Sequence, residues 1–163
     1  LFFSSSTGNT AEAADAIKSA FGGAVDIYSV ADTPVDKMLE YDNLIIGIPT
    51  WEIGELEADW DEVVDDYAEL DLSGKKIAVF GLGDQVNYPD TYQDGIGILA
   101  KKGRDAGATI VGYTSTDGHD FDDSFGLEDG KFMGLCLDND NQADMTDDRI
   151  AAWVEQLKGE FGL

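Results

Sequence analysis

Apolar runs of β type alternate with amphipathic stretches of helical length along the whole chain, and that alternation leaves few folds open. The run Leu44-Ile45-Ile46-Gly47-Ile48 has no polar face, so it suits a strand covered on both sides. Strand and helix in regular succession build a parallel sheet with helices on both faces, which predicts an α/β, doubly wound five-stranded sheet. Leu1 to Phe3 reads as the tail of the first strand. A helix is expected over Thr10 to Phe21, where Ala11, Ala14, Ile17, Ala20 and Phe21 share a face and Gly22-Gly23 stops the turn. Further strands are expected at Val25 to Val30, Lys76 to Phe80 and Thr109 to Tyr113. Helices are expected at Val35 to Tyr41, Asp59 to Tyr67, Asp90 to Ala106 (broken up by Gly95 and Gly97) and Thr146 to Phe161. Ser115 to Lys131 is rich in Asp and Gly without an apolar period, so it reads as a long excursion with no element of its own, before strand character resumes over Phe132 to Leu137.

With 163 residues, 43% of them apolar, the chain suits one domain, residues 1–163, with its own core. The 34 acidic residues against 10 basic ones leave a formal charge of -24, which opposes binding to a nucleic-acid backbone and favours basic partners or a saline solvent. The single cysteine, Cys136, allows no internal disulfide and reads as packing. No apolar run approaches the roughly 20 residues of a membrane span, and no signal-peptide pattern is present, so a cytoplasmic protein without membrane insertion is expected. Leu1 begins inside a strand without a methionine, which suggests that residues precede it.

Ser4-Ser5-Ser6-Thr7-Gly8-Asn9-Thr10 lies where the first strand gives way to a helix start. The unpaired N–H groups there, the positive end of the helix dipole and the hydroxyls all attract an anion, and Gly8 lets the backbone come close. Such a run on its own is more often only an N-cap. It has no lysine at the spacing of a triphosphate loop and no G-x-G-x-x-G, which leaves a phosphate monoester as the ligand that fits. In open α/β sheets ligands sit beyond the carboxyl ends of the strands where strand order reverses. The loops there, Pro49-Thr50-Trp51-Glu52-Ile53-Gly54 and Gly81-Leu82-Gly83-Asp84-Gln85-Val86-Asn87-Tyr88-Pro89-Asp90, carry one large aromatic each. Either ring alone would be read as packing. Two rings and an anion site at one end of one sheet describe a flat heterocycle bearing a phosphate, and FMN fits.

Thr7-Gly8-Asn9-Thr10, Pro49-Thr50-Trp51, Phe80-Gly81-Leu82-Gly83-Asp84-Gln85 and Tyr88 resemble the FMN loops of flavodoxins, and the likeness runs through the whole chain. Ser115-Thr116-Asp117-Gly118 through Gly130-Lys131-Phe132, followed by Leu137-Asp138-Asn139-Asp140-Asn141-Gln142, resembles the inserted loop and return strand of the long-chain, cyanobacterial and algal type. The resemblance implies strand order 2-1-3-4-5 with the last strand interrupted by an insertion at about 114–133. It implies that Ser5, Ser6, Thr7, Gly8, Asn9 and Thr10 hold the phosphate, and that Thr50 and Asp140 meet the ribityl hydroxyls. Trp51 and Tyr88 would flank the ring, and Glu52, Ile53, Gly83, Asp84 and Asn87 would address its polar edge through the backbone, with Gln93 and Asp94 behind. It further implies a monomeric, low-potential one-electron carrier that shuttles between semiquinone and hydroquinone. Its partners would be redox proteins such as ferredoxin-NADP reductase and photosystem I or other ferredoxin-using enzymes.

A charge about 10 Å away at an effective dielectric near 20 costs an arriving electron roughly 1.7 kcal/mol, and about 1.4 kcal/mol corresponds to ~59 mV. An acidic protein around an uncompensated phosphate therefore lowers the potential, and Glu55, Glu57, Asp59, Asp61 and Glu62 form a negative rim for basic partners. A flavodoxin-like NAD(P)H:quinone reductase is the competing enzyme reading, disfavoured because Trp51 and Tyr88 would close both faces of the ring. A receiver domain would need an acidic pair where Ser4-Ser5 stand and a lysine where Thr114-Ser115 stand. His119, the single histidine, is expected in solvent, and Phe121 and Phe125 as exposed rings of the insertion.

Overall fold

The computed structural model describes residues 1–4, 8–50 and 56–163. A parallel sheet runs in the order β2 (Tyr28–Ser29), β1 (Phe2–Phe3), β3 (Asn43–Pro49), β4 (Lys76–Leu82), β5 (Thr109–Val111). The fifth position is one strand in two pieces: β5 pairs with Lys76 to Ala78 of β4, and β9 (Gly134–Leu137) pairs with Val79 to Leu82. The chain between those pieces is the insertion the sequence places at about 114–133.

Alternation along the central strands divides the core. Leu44, Ile46 and Ile48 of β3 and Ile77 and Val79 of β4 point to one face, with Trp60, Val64 and Tyr67 of α2 (Ala58–Glu69) and Ile96, Leu99 and Ala100 of α3 (Asp94–Asp105). Ile45, Ala78, Phe80 and Leu82 point to the other, with Ala13, Ala14 and Ile17 of α1 (Asn9–Ala20) and Ile150, Trp153, Val154 and Leu157 of α4 (Thr146–Glu160). A 3-10 helix, Val35–Glu40, occupies the place of the short second helix. The two core indoles bury their N–H groups by donating to backbone carbonyls, Trp60 to Gly47 at 3.0 Å and Trp153 to Gly112 at 2.9 Å. Cys136 is buried, and burial pushes its thiol well above the usual range, so it packs. Among the described residues no helix is long and apolar enough to cross a membrane.

Several expectations from sequence need correction. Only Tyr28 and Ser29 of the Val25 to Val30 run join the sheet, because β1, their partner, offers two residues to the ladder. The helix expected from Asp90 starts at Asp94, and Gly95 and Gly97 do not break it. They are thin points where other chain comes close: a Cβ on Gly97 would stand 2.1 Å from the Phe125 carbonyl oxygen. The insertion is not without structure. It builds an antiparallel sheet, β6 (Thr114–Ser115), β8 (Lys131–Phe132) and β7 (Leu127–Glu128), in that spatial order, so Phe132 belongs there and not to the main sheet.

His119 and Phe121 also depart from expectation. The Phe121 ring lies 5.5 Å from Tyr92 and 5.2 Å from Phe132, half-buried against the core. The His119 ring packs against Tyr92 and Phe132, and its Nδ1 lies 2.9 Å from the Tyr92 hydroxyl. Phe125 is the ring that remains exposed, with the Lys101 ammonium 3.4 Å above it.

Candidate functional site

The carboxyl ends of β1, β3 and β4 open on one edge of the sheet, where strand order reverses between β1 and β3. At the end of β1, the Ser4 amide donates to the Gly47 carbonyl at 3.2 Å, while its buried Oγ has no partner among the described residues. Gly8 begins α1 with φ 89°, a left-handed conformation that glycine adopts at no steric cost, and its carbonyl accepts the Glu12 amide at 3.0 Å. A glycine at this position brings no side chain to cap the first-turn N–H groups, which therefore suit an external anion. Thr10 is buried and Asn9 half-buried in that first turn. Ser5, Ser6 and Thr7, expected at the phosphate, lie outside the described residues, as do Trp51, Glu52 and Ile53, expected at the ring.

Thr50 follows β3 with 2% exposure. Its amide donates to the Leu82 carbonyl at 2.7 Å, and its Oγ1 accepts the Gly95 amide at 2.9 Å, which ties the end of β3 to the start of α3. Next in the chain, Glu57 of the expected acidic rim caps α2, its carboxylate accepting the Asp59 amide at 3.0 Å.

The loop after β4 is held by two buried carboxylates. Asp84 accepts the amides of Val86 at 3.1 Å and Asn87 at 3.0 Å, the Asn87 side chain at 2.7 Å and the Asn141 side chain at 2.9 Å. Burial raises its carboxyl, but the hydrogen bonds from Asn87, Asn141 and Val86 outweigh that and hold it below the usual range. Its contribution to stability is therefore complete above the unfolded value of about 3.9 and is lost as pH falls through the depressed one. Asp138, 0% exposed, accepts the Gln85 amide at 3.1 Å, the Gln85 side chain at 2.8 Å, the Asn141 amide at 3.0 Å and the Asn141 side chain at 2.9 Å. Asn141 thus bridges the two carboxylates and clamps the segment after β9 to the loop after β4.

Within that frame the Gly83 amide donates to the Leu137 carbonyl at 2.9 Å, and the Tyr88 amide donates to the Asp84 carbonyl at 3.0 Å, leaving the ring half-buried. Asn87 and Asp140 are exposed. Burial, then the neighbouring Asp84 and Asp138 carboxylates, push the Asp140 carboxyl up. Gln93, fully buried at φ 59°, lies behind the loop: Nε2 donates to the Leu137 carbonyl at 3.0 Å, and Oε1 has no partner among the described residues. The structure therefore gathers Gly8, Asn9, Thr10, Thr50, Gly83, Asp84, Asn87, Tyr88 and Asp140 on loops and helix starts at this edge, with Gln93 behind them. Sequence reasoning missed Gln85, Asp138 and Asn141 as the clamp. The available signal was a carboxylate, Asp138, placed directly after the apolar run Leu135 to Leu137, where the chain is still inside the sheet.

These features define a doubly wound α/β protein with an anion-accepting helix start and polar loops at its switch point. The family model described as Flavodoxin matches residues 1–153. The chain is 50% identical over 164 residues to a flavodoxin of Nostoc sp., covering all of this chain and 96% of that protein. It is 39% identical over 165 residues to Flavodoxin 1 of Escherichia coli, with 100% and 94% covered. A solved structure, Fusobacterium nucleatum flavodoxin bound to flavin mononucleotide, superposes with a TM-score of 0.93 at 32% identity, covering 98% of this chain and 95% of that one. The chain belongs to the flavodoxin family.

Proposed function

We propose that this protein is a low-potential, one-electron carrier that binds FMN without covalent linkage at the edge formed by β1, β3 and β4. The observation that carries it is the convergence, at the β1/β3 switch point, of an α1 start capped by left-handed Gly8 with the loops after β3 and β4. Flavodoxins are themselves a standing example of ligand binding at that point. The residues fit the group: the Ser4 hydroxyl without a partner among the described residues and an α1 start whose glycine brings no capping side chain suit a phosphate, and the Thr50 hydroxyl suits a ribityl oxygen. FMN, when bound, supplies an aromatic centre that accepts and releases electrons singly.

In this reading Ser5, Ser6, Thr7, Gly8, Asn9 and Thr10 bind the phosphate, and Thr50 and Asp140 orient the ribityl chain. Tyr88 and Trp51 exclude water from the ring faces, while Glu52, Ile53, Gly83, Asp84 and Asn87 meet its edge, supported by Gln93. Asp84, Asp138 and Asp140 surround the loop after β4, and their charge opposes the arrival of each electron, so the site favours low potential. The chain acts as a carrier and not as an enzyme, works in the cytoplasm as a single monomeric domain, and serves partners such as ferredoxin-NADP reductase and photosystem I.

Anaerobic reductive titration of the FMN-loaded protein is expected to show two resolved one-electron steps, and NADPH alone is expected to leave it oxidised. A single two-electron step with rapid NADPH oxidation would instead assign a quinone reductase. The excess of acid also predicts steering. Electron transfer to a basic reductase is expected to slow about ten-fold as salt rises from roughly 20 to 300 mM, which stopped-flow absorbance would follow. A rate indifferent to salt would remove steering from the account.

A further inference from the structure

The insertion touches the FMN loop at Pro89, whose carbonyl accepts the Asp122 and Asp123 amides at 2.8 and 3.0 Å, and, nearer the clamp, at Gln85. The Asp120 amide donates to Gln85 Oε1 at 2.6 Å, while the other end of that amide is held by Asp138. One residue earlier, His119 enters the aromatic cluster of Tyr92, Phe121 and Phe132. Tyr92 immediately precedes Gln93, which sits behind Gly83. His119 and Asp120 therefore press on the ring-binding loop from two sides.

We propose that His119 is a proton-responsive positioning residue: neutral, it seats the insertion on Tyr92 so that Asp120 can hold Gln85, and protonated, it releases that hold and loosens FMN. Burial pushes the Tyr92 hydroxyl far up, so it stays protonated, and with the neutral imidazole in its Nε2–H tautomer that hydroxyl donates to His119 Nδ1 across 2.9 Å. Only the neutral ring can accept there. Protonation would place a cation among aromatic carbons on one side of a cavity of about 170 Å³ that Arg149 of α4 also lines. The charged and titratable groups facing it are Arg149 from α4, which repels it, and Asp138 beyond β9, which attracts it. The buried Cys136 thiol of β9 and Asp117 from the insertion itself line the same cavity. Burial, then Arg149, push the imidazole down to about 4 against the pull of Asp138. The sign follows: a base whose folded value is depressed favours the seated state fully above its unfolded value of about 6.5. That preference is lost as pH falls from there toward the folded value.

The inference rests on the FMN reading, and two measurements on the holoprotein test it. The sequence has one histidine, so its imidazole resonance is unambiguous, and an NMR titration is expected to give a midpoint below about pH 5.5. A midpoint at or above about 6.5 would overturn the proposal. The FMN dissociation constant, followed by flavin fluorescence in wild type and in His119→Phe, controls for the ligand's own phosphate, which titrates near pH 6. Between about pH 7.5 and 5, wild type is expected to lose about five-fold more affinity than the variant. Tight binding with parallel profiles overturns this inference alone, whereas no FMN binding at any pH overturns the functional reading and this one with it.

Discussion

Replacing Asp138 with alanine is expected to cost about 3–5 kcal/mol of stability and to weaken FMN binding at least about ten-fold. The carboxylate is fully buried and accepts from four donors on two segments, the Gln85 and Asn141 amides and both their side chains. Alanine leaves those donors buried without acceptors, and each orphaned group costs about 1–3 kcal/mol. The relief of no longer burying a charge offsets part of that sum. The Asn141 side chain on Asp84 is then the one side-chain tie left, among the described residues, between the loop carrying Gly83, Asn87 and Tyr88 and the segment carrying Asp140. Asp138→Asn keeps one acceptor oxygen but turns an amide against the Asn141 donors, so an intermediate loss of about 2 kcal/mol is expected. Urea denaturation should show a lower midpoint at unchanged slope. A loss below about 1 kcal/mol for the alanine variant would mean that water replaces the carboxylate and that the clamp does not hold the loop.

That clamp also marks where sequence reading stops. Strands β3 and β4 were legible because Leu44 to Ile48 and Ile77 to Phe80 are apolar without interruption, which is what burial on both faces requires. Helices α1 and α4 were legible from apolar spacing, and their ends fall within a residue or so of expectation. Gln85 and Asp138 are 53 positions apart, and nothing local to either announces the other. The insertion failed for a different reason. Its strands are two residues long, too short for a period of two to show, and they are held by the Thr114 hydroxyl donating to the Gly134 carbonyl of β9 and by Leu127 and Phe132 packing on the core more than by any pattern of their own. His119 among Asp and Gly residues looked solvated for the same reason, since its ring partners come from distant Tyr92 and Phe132. The helix expected from Asp90 started late because the chain crosses Gln93 at positive φ, a conformation set by burying its side chain against Gly81 and Gly83. The hydroxyls of Ser5 to Thr7, expected at a phosphate, and the aromatic Trp51, expected at the ring, lie outside the described residues and stay expectations from sequence.

Gly134→Ala is expected to be strongly destabilising although it adds only one methyl group. Gly134 pairs with Val79, and a Cβ there would lie 2.1 Å from the Val79 carbonyl oxygen and 2.9 Å from its carbon. Neither atom can rotate away, because both belong to the backbone of the central strand. β9 must move off the upper half of β4, and the movement carries Leu137, whose carbonyl holds the Gly83 amide and the Gln93 side chain. Overpacking commonly costs about 1–3 kcal/mol, and a clash with fixed backbone belongs at or above that upper end. At roughly 2–4 °C per kcal/mol for a chain of this size, the melting temperature should fall by about 10 °C, and FMN affinity should fall with it. Gly159→Ala supplies the control. It makes the same chemical change inside α4, where a Cβ meets nothing within 4 Å. Helix propensity and the lower entropy of the unfolded chain should raise stability there by up to about 1 kcal/mol, with FMN affinity unchanged. The two variants are thus expected to differ in sign, because one methyl fills open space while the other separates the two strands that carry the cofactor loops. Equal and small shifts in calorimetry would mean that β9 can slide without disturbing the site, and that the β4–β9 junction is not what positions Gly83.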